Sequence, residues 1–277
     1  MIGLATCSHF PDGEDDDSHL TAALPEARWA VWDDPAVDWS AFDLVVVRST
    51  WDYQERRDSF LAWVRSVPRI LNPPAVIAWN TDKRYLGELE RAGIQTVHTD
   101  YVAPGETFAA PAGEYVVKPS IGAGSRHTAR YGPGAQARAA ALVAEIHASG
   151  RTAMVQPYLG DIDEHGETAL LYFDGAYSHA IRKSAILRPG AEPTAEFFAP
   201  ETIEARAPDA GERALGDAAV AYVRERFGDL AYTRVDVVRG PGGARLLELE
   251  LAEPSLFFAQ GPGAAERFAA AIRSRLG

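Results

Sequence analysis

The chain has 277 residues, of which 47% are hydrophobic and 24% charged, so it is long enough and apolar enough for two or three packed globular units. Its 27 basic and 39 acidic residues give a net charge of −12, part of it from the acidic loop 12–17, which argues against an extended nucleic-acid-binding surface. One cysteine allows no internal disulfide, and neither a signal peptide nor an apolar run of bilayer length is visible. We therefore expect a cytoplasmic protein without nucleic-acid or membrane partners.

The first 80 residues predict a small unit with a parallel sheet, because strand-like apolar runs alternate with helical ones. The predicted strands are Ile2–Thr6, Arg28–Trp32, Leu44–Arg48 and Arg69–Asn72, and the predicted helices are Ser18–Leu24 and Asp58–Val67. Ligands collect beyond the carboxyl ends of parallel strands. The polar cluster that follows the third strand consists of Arg48, Ser49, Thr50, Trp51, Asp52 and Tyr53. We interpret it as a substrate-binding loop, the alternative being a strand end with helix-capping residues.

A second unit, residues 81–155, is predicted to contain a strand that ends in a lysine. Its elements are a helix opened by Asn80–Lys83 and ended by Gly93, a strand over 114–118, a helix over Ala135–Ala148 and a strand over Ala153–Gln156. The loop 119–127 contains glycines that would let backbone N–H groups approach a phosphate, although an ordinary hairpin loop has a similar composition. Lys118 closes an apolar strand and so favours the phosphate-binding interpretation.

The third unit, residues 156–277, is predicted to hold two hairpins and a lid. Its elements are a hairpin of Thr168–Phe173 and Ala176–Arg182, helices over Asp209–Phe227 and Ala264–Leu276, and a second hairpin over 231–238 and 244–251. The proline-rich segment 184–208 shows little periodicity and is long for a passive connection, which favours a mobile lid.

The second hairpin carries the densest chemistry. Strand alternation places Val235 and Val237 on one face, with Leu247, Leu249 and Leu251 as their counterparts. The other face then carries Arg234, Asp236, Glu248 and Glu250. Carboxylates supply the oxygen ligands that Mg²⁺ prefers, and arginine suits a phosphate. A solvated acidic face is the alternative to a metal site.

The order of these motifs along the chain resembles the ATP-grasp superfamily. The matching segments are 80–83, 116–120, 122–125, 155–159, 166–167, 179–183, 234–236 and 247–250. Residues 48–53 extend the resemblance to a subgroup related to glutathione synthetase and the ribosomal-protein glutamate ligases, which includes the cyclo-ligase that closes O-ureido-serine to cycloserine. The resemblance implies a mixed α/β fold with an N-terminal parallel α/β domain over 1–80, a central lid-like α+β domain over 81–155 and a C-terminal α+β domain over 156–277.

The resemblance also implies an ATP site with two Mg²⁺ ions. The nucleotide would be held by Lys83, Lys118, Ser120, Gly122, Gly124, Ser125, Gln156, Pro157, Tyr158, Leu159 and, at the ribose, Asp163, with Asp161 and Glu164 as competitors. Lys183 and Arg234 would neutralise the transferred γ-phosphate, which makes them the catalytic pair. Asp236, Glu248 and Glu250 would bind the metal, although the family usually has Asn at the third position.

The implied activity is ligation of a carboxylate to an amine through an acyl phosphate, giving ADP and phosphate, with intramolecular ring closure as one version of the same chemistry. A small amino-acid-like substrate would be held by Arg48, Ser49, Thr50, Asp52, Arg182, Glu253 and Ser255. A phosphotransferase with a stable phosphorylated product and a non-catalytic ATP-binding module are the alternatives. A homodimer is a further option by analogy with such enzymes.

Overall fold

Three β-sheets with their helices make up the computed structural model, which describes residues 1–193 and 201–276. A parallel sheet comes first, and two antiparallel sheets follow it. This mixed α/β architecture confirms the fold class predicted from the sequence, while the domain limits at residues 80 and 155 stay predictions. Within the described ranges no helix combines the length and apolarity that a membrane span requires.

The N-terminal sheet has the strand order β2-β1-β3-β4 with parallel pairing throughout. Its strands are β1 (Ile2–Thr6), β2 (Ala27–Val31), β3 (Leu44–Val47) and β4 (Ile70–Leu71), accompanied by helices α1 (Asp17–Ala23), α2 (Arg57–Ser66), α3 (Pro74–Asn80) and α4 (Tyr85–Arg91). Every residue of β1 and β3 is buried, as expected for parallel strands covered on both faces. All four predicted strands form, with ends shifted by at most one residue.

The prediction that a helix begins at Asn80 is wrong. Asn80 instead ends α3, and α4 begins only at Tyr85. The Asn80 amide donates to the carbonyl of Leu249 at 2.7 Å and accepts from the N–H of Leu251 at 2.7 Å, so it serves the hairpin edge rather than a helix cap. The turn between the two helices presents Lys83 to the interior. Gly93, with a φ of +86°, ends α4 as predicted.

The central sheet is antiparallel, with the order β5-β8-β6-β7. Its strands are β5 (Asp100–Val102), β6 (Tyr115–Pro119), β7 (Ala129–Tyr131) and β8 (Ala153–Pro157), and helix α5 (Gln136–Ala148) covers one face. Val117 and Val155 pack in one buried cluster with Leu142 and Ile146 of that helix. The edge strands β5 and β7 are three residues each, too short for an alternation pattern to reveal them.

The C-terminal sheet has the order β11-β10-β9-β12-β13. Its strands are β9 (Glu167–Phe173), β10 (Ala176–Lys183), β11 (Ile203–Ala205), β12 (Tyr232–Gly240) and β13 (Gly243–Glu250), and its helices are α6 (Asp161–His165), α7 (Ala210–Phe227) and α8 (Ala264–Arg273). Both predicted hairpins form. The predicted lid contains β11, which pairs with the end of β10, while residues 194–200 of that prediction lie outside the described residues.

A β-bulge in the second hairpin corrects the predicted register. Asp236 pairs with Glu248, but the next residue, Val237, pairs with Leu246, so one extra residue of β13 is left over. As a result Leu246 is fully buried and Leu247 is not, contrary to the predicted burial of Leu247. The bulge turns Leu247 toward the interior cleft together with Glu248.

The N-terminal and C-terminal sheets are joined by a buried polar network around Asn72. Its side-chain N–H groups donate to the carbonyls of Tyr232 at 3.0 Å and Leu251 at 2.8 Å, and its oxygen accepts from the N–H of Ala231 at 3.0 Å. Helix α8 packs between the two sheets, with Phe268 in the same buried cluster as Leu4 and Tyr232. This junction fixes the loops after β1 and β3 against the segment that follows β13.

Candidate active site

A cavity of about 800 Å³ lies where the three sheets meet. Most of the predicted site residues line it: Lys83, Lys118, Gly122, Gly124, Ser125, Gln156, Pro157, Tyr158, Leu159, Lys183, Arg234, Asp236, Glu248, Glu250, Glu253 and Ser255. The chain thus brings together residues that are up to 172 positions apart, from Lys83 to Ser255. Each role given to these residues is a proposal.

An interlocked set of charges forms the floor of the cavity on β10 and β12. The carboxylate of Asp236 accepts from Lys183 Nζ at 2.7 Å and from Arg234 Nη2 at 2.6 Å. Lys183 also contacts Glu167 at 3.0 Å. Burial by itself would raise the pKa of Asp236, but the charges of Arg234 and Lys183 outweigh it and lower that pKa to about 2. Asp236 is therefore ionised at neutral pH.

The acids of β13 face the same space with unequal partners. Glu248 lies 3.1 Å from Lys83 Nζ, and the charges of Lys83 and Lys118 overcome its burial and lower its pKa. Glu250 lies 3.1 Å from Arg234 Nη2, but burial dominates there and raises its pKa to about 8. The extra acid at position 250 thus takes up a proton in a cavity that already holds two ionised carboxylates.

Lys118, at the end of β6, is a half-buried ammonium group without a carboxylate partner. Among the residues that the structure describes, no Asp or Glu lies within ion-pair distance of its Nζ. Burial lowers the pKa of Lys118, with Glu248 opposing and Lys83 adding to the decrease. An anionic ligand in the cavity would stabilise the charged form of such a desolvated ammonium group. Phosphate is an anion that lysine side chains commonly bind.

An apolar slot lies at the crossing from the central to the C-terminal sheet. Gln156, Pro157, Tyr158 and Leu159 contribute to the cavity lining here, as do Leu247 and Val238 of the hairpin. The Gln156 side chain is fixed by a hydrogen bond to Thr99 Oγ1 at 2.9 Å. A flat heterocycle such as adenine has the shape and apolarity that this slot offers.

Two of the nucleotide predictions fall outside the cavity lining. Asp163, predicted at the ribose, accepts from the Tyr158 hydroxyl at 2.6 Å and from Arg130 Nη1 at 3.0 Å on the outer side of that loop. Ser120 is buried, and its carbonyl accepts from the N–H of Lys83 at 2.7 Å. Ser120 therefore holds the backbone of Lys83 in place and does not line the cavity itself.

Four residues of the predicted substrate loop, Arg48, Ser49, Thr50 and Asp52, lie outside the cavity lining. Arg48 is 1% exposed, because Asp17 accepts from it at 2.7 and 3.0 Å and the carbonyl of Pro254 accepts at 2.9 Å. Asp52 accepts from Trp32 Nε1 at 2.8 Å and from Arg56 at 2.8 Å. The remaining predicted residues that do not line the cavity are Ser49, Thr50 and Arg182, the last of which donates to the carbonyls of Glu164 and His165. None of these five lines the cavity, and their predicted contact with a substrate stays a prediction.

Several cavity residues escaped the sequence reasoning. Glu167 appeared only inside a motif, Tyr53 only inside the polar cluster, and Glu14 only as part of an acidic loop that contributed to the net charge. For Glu167 a usable signal existed, since it opens a strand that pairs with the one ending in Lys183. Glu14 carried none, because its position depends on the packing of its loop against residues 254–259.

The cavity lining holds nine acids and five lysines or arginines, counting described residues alone. Within those residues no three His, Cys, Asp or Glu side chains form a ready-made metal-binding group. The acids of the hairpin are engaged by lysine and arginine instead. Phosphates would draw those cations away and leave an oxygen-only, acid-rich donor set, which is the type that Mg²⁺ binds. The residues therefore fit magnesium together with a phosphate ligand.

Known proteins match this chain over nearly its full length. Residues 2–72 match the family described as "D-cycloserine synthetase DcsG, N-terminal domain". The cycloserine biosynthesis protein DcsG of Streptomyces lavendulae is 40% identical over 265 residues, covering 88% of this chain and 87% of that protein. The crystal structure of D-cycloserine synthetase DcsG has a TM-score of 0.89 at 36% identity, covering 100% of this chain and 99% of that one.

A more distant structure shares the fold alone. The D-alanine–D-alanine ligase of Bacillus anthracis, solved in complex with ATP, has a TM-score of 0.67 at 14% identity and covers 99% of this chain and 96% of that one. Three sheets around a cavity that gathers lysines, arginines and carboxylates define, together with these relatives, an ATP-grasp enzyme, an ATP-dependent ligase that forms carbon–nitrogen bonds. Within that class the chain belongs to the family of the cycloserine biosynthesis protein DcsG.

Proposed function

We propose that this enzyme uses ATP and Mg²⁺ to close O-ureido-serine, or an amino acid of that class, to cycloserine. The relation to DcsG supports this substrate class. The structural observation that carries the proposal is Lys118, a half-buried cation without a carboxylate partner among the described residues, in a cavity next to an apolar slot. A nucleotide triphosphate supplies both the ring for the slot and the anions for the lysines.

In this assignment the nucleotide lies between the central and C-terminal sheets. The slot at 156–159 holds adenine, and Lys83 and Lys118 hold the phosphates from the central side. Lys183 and Arg234 hold the γ-phosphate, where charge develops during transfer. Asp236, Glu248 and Glu250 would hold two Mg²⁺ ions, which when bound withdraw negative charge from the phosphate oxygens.

The proposed reaction has two covalent steps and a hydrolysis. A carboxylate oxygen of the substrate attacks the γ-phosphorus, the bond to the bridging oxygen breaks, and ADP leaves. The ureido nitrogen that is bonded to oxygen then attacks the acyl carbon, loses its proton, and displaces phosphate with the C–O electron pair. The ring nitrogen still carries a carbamoyl group, and one water molecule removes it as ammonia and carbon dioxide. Lys183 and Arg234 stabilise the charge on phosphate in both covalent steps.

The test is phosphate release from ATP and Mg²⁺ against a panel of O-ureido-serine enantiomers, amino acids and dipeptides. We expect release only with an O-ureido-serine, at one phosphate and one ammonia per cycloserine formed. Asp236→Asn should abolish turnover, because it removes an acid that contacts both γ-phosphate cations. Asp58→Asn, at an exposed position outside the cavity lining, is the matched control. Transfer of phosphate to a stable product, or ATP binding without turnover of any panel member, would contradict the proposal.

A further inference from the structure

The lysines and arginines of the cavity all come from one part of its described lining. They are Lys83, Lys118, Arg126, Lys183 and Arg234, and five acids lie among them in the lining between residues 83 and 250. The part of the lining contributed by residues 10–53 and 253–260 carries four acids and, among the described residues, no lysine or arginine. These acids are Glu14, Asp15, Asp16 and Glu253, and we call this part the acidic end. The part of the lining with the lysines and arginines suits a phosphate, whereas the acidic end suits a cation.

Three of these four acids already have hydrogen-bond partners or face solvent. Asp16 accepts from the N–H groups of Phe258 at 2.7 Å and Ala259 at 2.9 Å, so it caps the turn after residue 257. Glu253 accepts from the hydroxyl of Tyr53. Asp15 is exposed. Neither its position nor its surroundings single Asp15 out as a binding group.

Glu14 is different, because its carboxylate is buried and only half satisfied. Oε2 accepts from Ser255 Oγ at 3.0 Å, while Oε1 is inaccessible to solvent and has no hydrogen-bond partner. The nearest cation, Arg48 Nη2, is 3.9 Å away and already donates to Asp17. Burial and the charge of Asp17 raise the pKa of Glu14 to about 8, with Arg48 opposing. A buried carboxylate in this state gains from any cationic donor placed in the cavity.

The loop that carries Glu14 is built to hold it in place. The backbone N–H of Glu14 donates to Ser49 Oγ at 3.3 Å, and Ser49 in turn donates to Asp17 at 3.0 Å. Arg48 ties the same loop to the carbonyl of Pro254, next to Ser255. Within the polar cluster after β3, Arg48 and Ser49 therefore position Glu14 and do not line the cavity themselves.

We infer that the acidic end binds the α-ammonium group of the amino-acid substrate, with Glu14 as its principal contact. This inference rests on the proposed function, which supplies an amino acid as the substrate. An ammonium group there leaves the substrate carboxylate free to face the phosphate end, where it has to meet the γ-phosphate. Selection for the amino group is then a task of the N-terminal loop and is separate from the phosphate chemistry.

The experiment compares two ligands by calorimetry on the full chain, loaded with Mg²⁺ and a non-hydrolysable ATP analogue. One ligand is O-ureido-serine, and the other is its des-amino analogue, 3-(ureidooxy)propanoic acid. Wild-type protein should bind the amino form more tightly, and Glu14→Gln should reduce that preference by roughly 10- to 100-fold, the range for a hydrogen bond to a charged group. Affinity for the ATP analogue should stay unchanged. Asp12→Asn removes an exposed charge of the same loop from outside the lining and should keep the full preference.

Ser255→Ala provides a second variant that leaves Glu14 in place, and it should lower the preference partially, since Glu14 loses the hydrogen bond that orients it. An undiminished preference in Glu14→Gln, or no preference in the wild type, overturns the inference. Phosphate release measured in parallel separates the two claims. A lost preference in Glu14→Gln without turnover by the wild type supports the ammonium site and contradicts the proposed reaction.

Discussion

Replacing Lys118 by Met should make the unliganded enzyme more stable and the nucleotide complex weaker. The methionine keeps a long apolar side chain in the half-buried space of the lysine stem and removes its charge. The pKa of Lys118 is lowered in the fold by burial, so the charged form costs stability at every pH below that lowered pKa, and the cost disappears as the pH rises through the unfolded value. Removal of this charge should therefore stabilise the protein at a pH below the lowered pKa.

The size of both effects follows from what surrounds this position. Relief of an unpaired functional charge is worth about 0.5–2 kcal/mol, and 1 kcal/mol corresponds to a rise of roughly 2–4 °C in Tm for a protein of about this size. A charge-assisted hydrogen bond to phosphate is worth about 1.5–3 kcal/mol, so the Kd for an ATP analogue should rise roughly 10- to 100-fold. The KM for the amino-acid substrate should be unchanged.

Thermal unfolding without ligand and calorimetry with an ATP analogue measure the two effects separately. Lys83→Met is the matched control, because Lys83 has partners: Glu248 at 3.1 Å and the carbonyl of Gly122 at 2.5 Å. That variant should also lose nucleotide affinity, but it should destabilise the unliganded protein by leaving Glu248 without its cation. A destabilised Lys118→Met variant with unchanged nucleotide affinity would refute the reasoning.

Three further outcomes are expected. Asp17→Asn removes the shorter of the two ion pairs of the buried Arg48 guanidinium and should destabilise the protein by about 3–5 kcal/mol in chemical denaturation. A cost below about 1 kcal/mol would contradict this. Gly166→Ala places a side chain on a residue with a φ of +69° and puts its Cβ 2.2 Å from the carbonyl oxygen of Lys183. The variant should lose about 1–3 kcal/mol of stability, and its kcat should fall. An unchanged kcat would contradict this prediction. The raised pKa of Glu14 means that the folded state holds a proton that the unfolded state releases, so the stability of the protein should decline between about pH 5 and pH 8. The decline should be less steep in Glu14→Gln. Equal slopes in the two proteins would exclude Glu14 as the cause.

Alternation along the second hairpin was enough to predict that Arg234, Asp236, Glu248 and Glu250 share a face. The same alternation wrongly placed Leu247 on the opposite face, because it does not reveal the β-bulge that shifts the register at this residue. The polar cluster after β3 was predicted at the right edge of the sheet. Which of its members face the cavity depends on Asp17, a partner 31 residues before Arg48, and the sequence gives no sign of that pairing.

That the lysines of the cavity come together was predictable, because they occur in short, ordered segments around strand ends, as Lys118 and Lys183 do. The acidic end was not, since Glu14 and Ser255 come from opposite ends of the chain and meet only in the folded protein. The spacing of residues in the sequence predicts local geometry well. It predicts little about contacts between distant loops, because these depend on how the sheets pack.

The Asn72 network has a consequence for how the chain is made. Its partners, Ala231, Tyr232 and Leu251, follow it by 159 to 179 residues. At a synthesis rate of about 5–20 residues per second, the ribosome needs roughly 10 to 40 s to supply them. During that interval all four strands of the N-terminal sheet have been synthesised, but the Asn72 side chain can form hydrogen bonds only with water. The nascent chain therefore exposes a surface that it later buries, and chaperone contact is expected at that surface until the second hairpin has been synthesised.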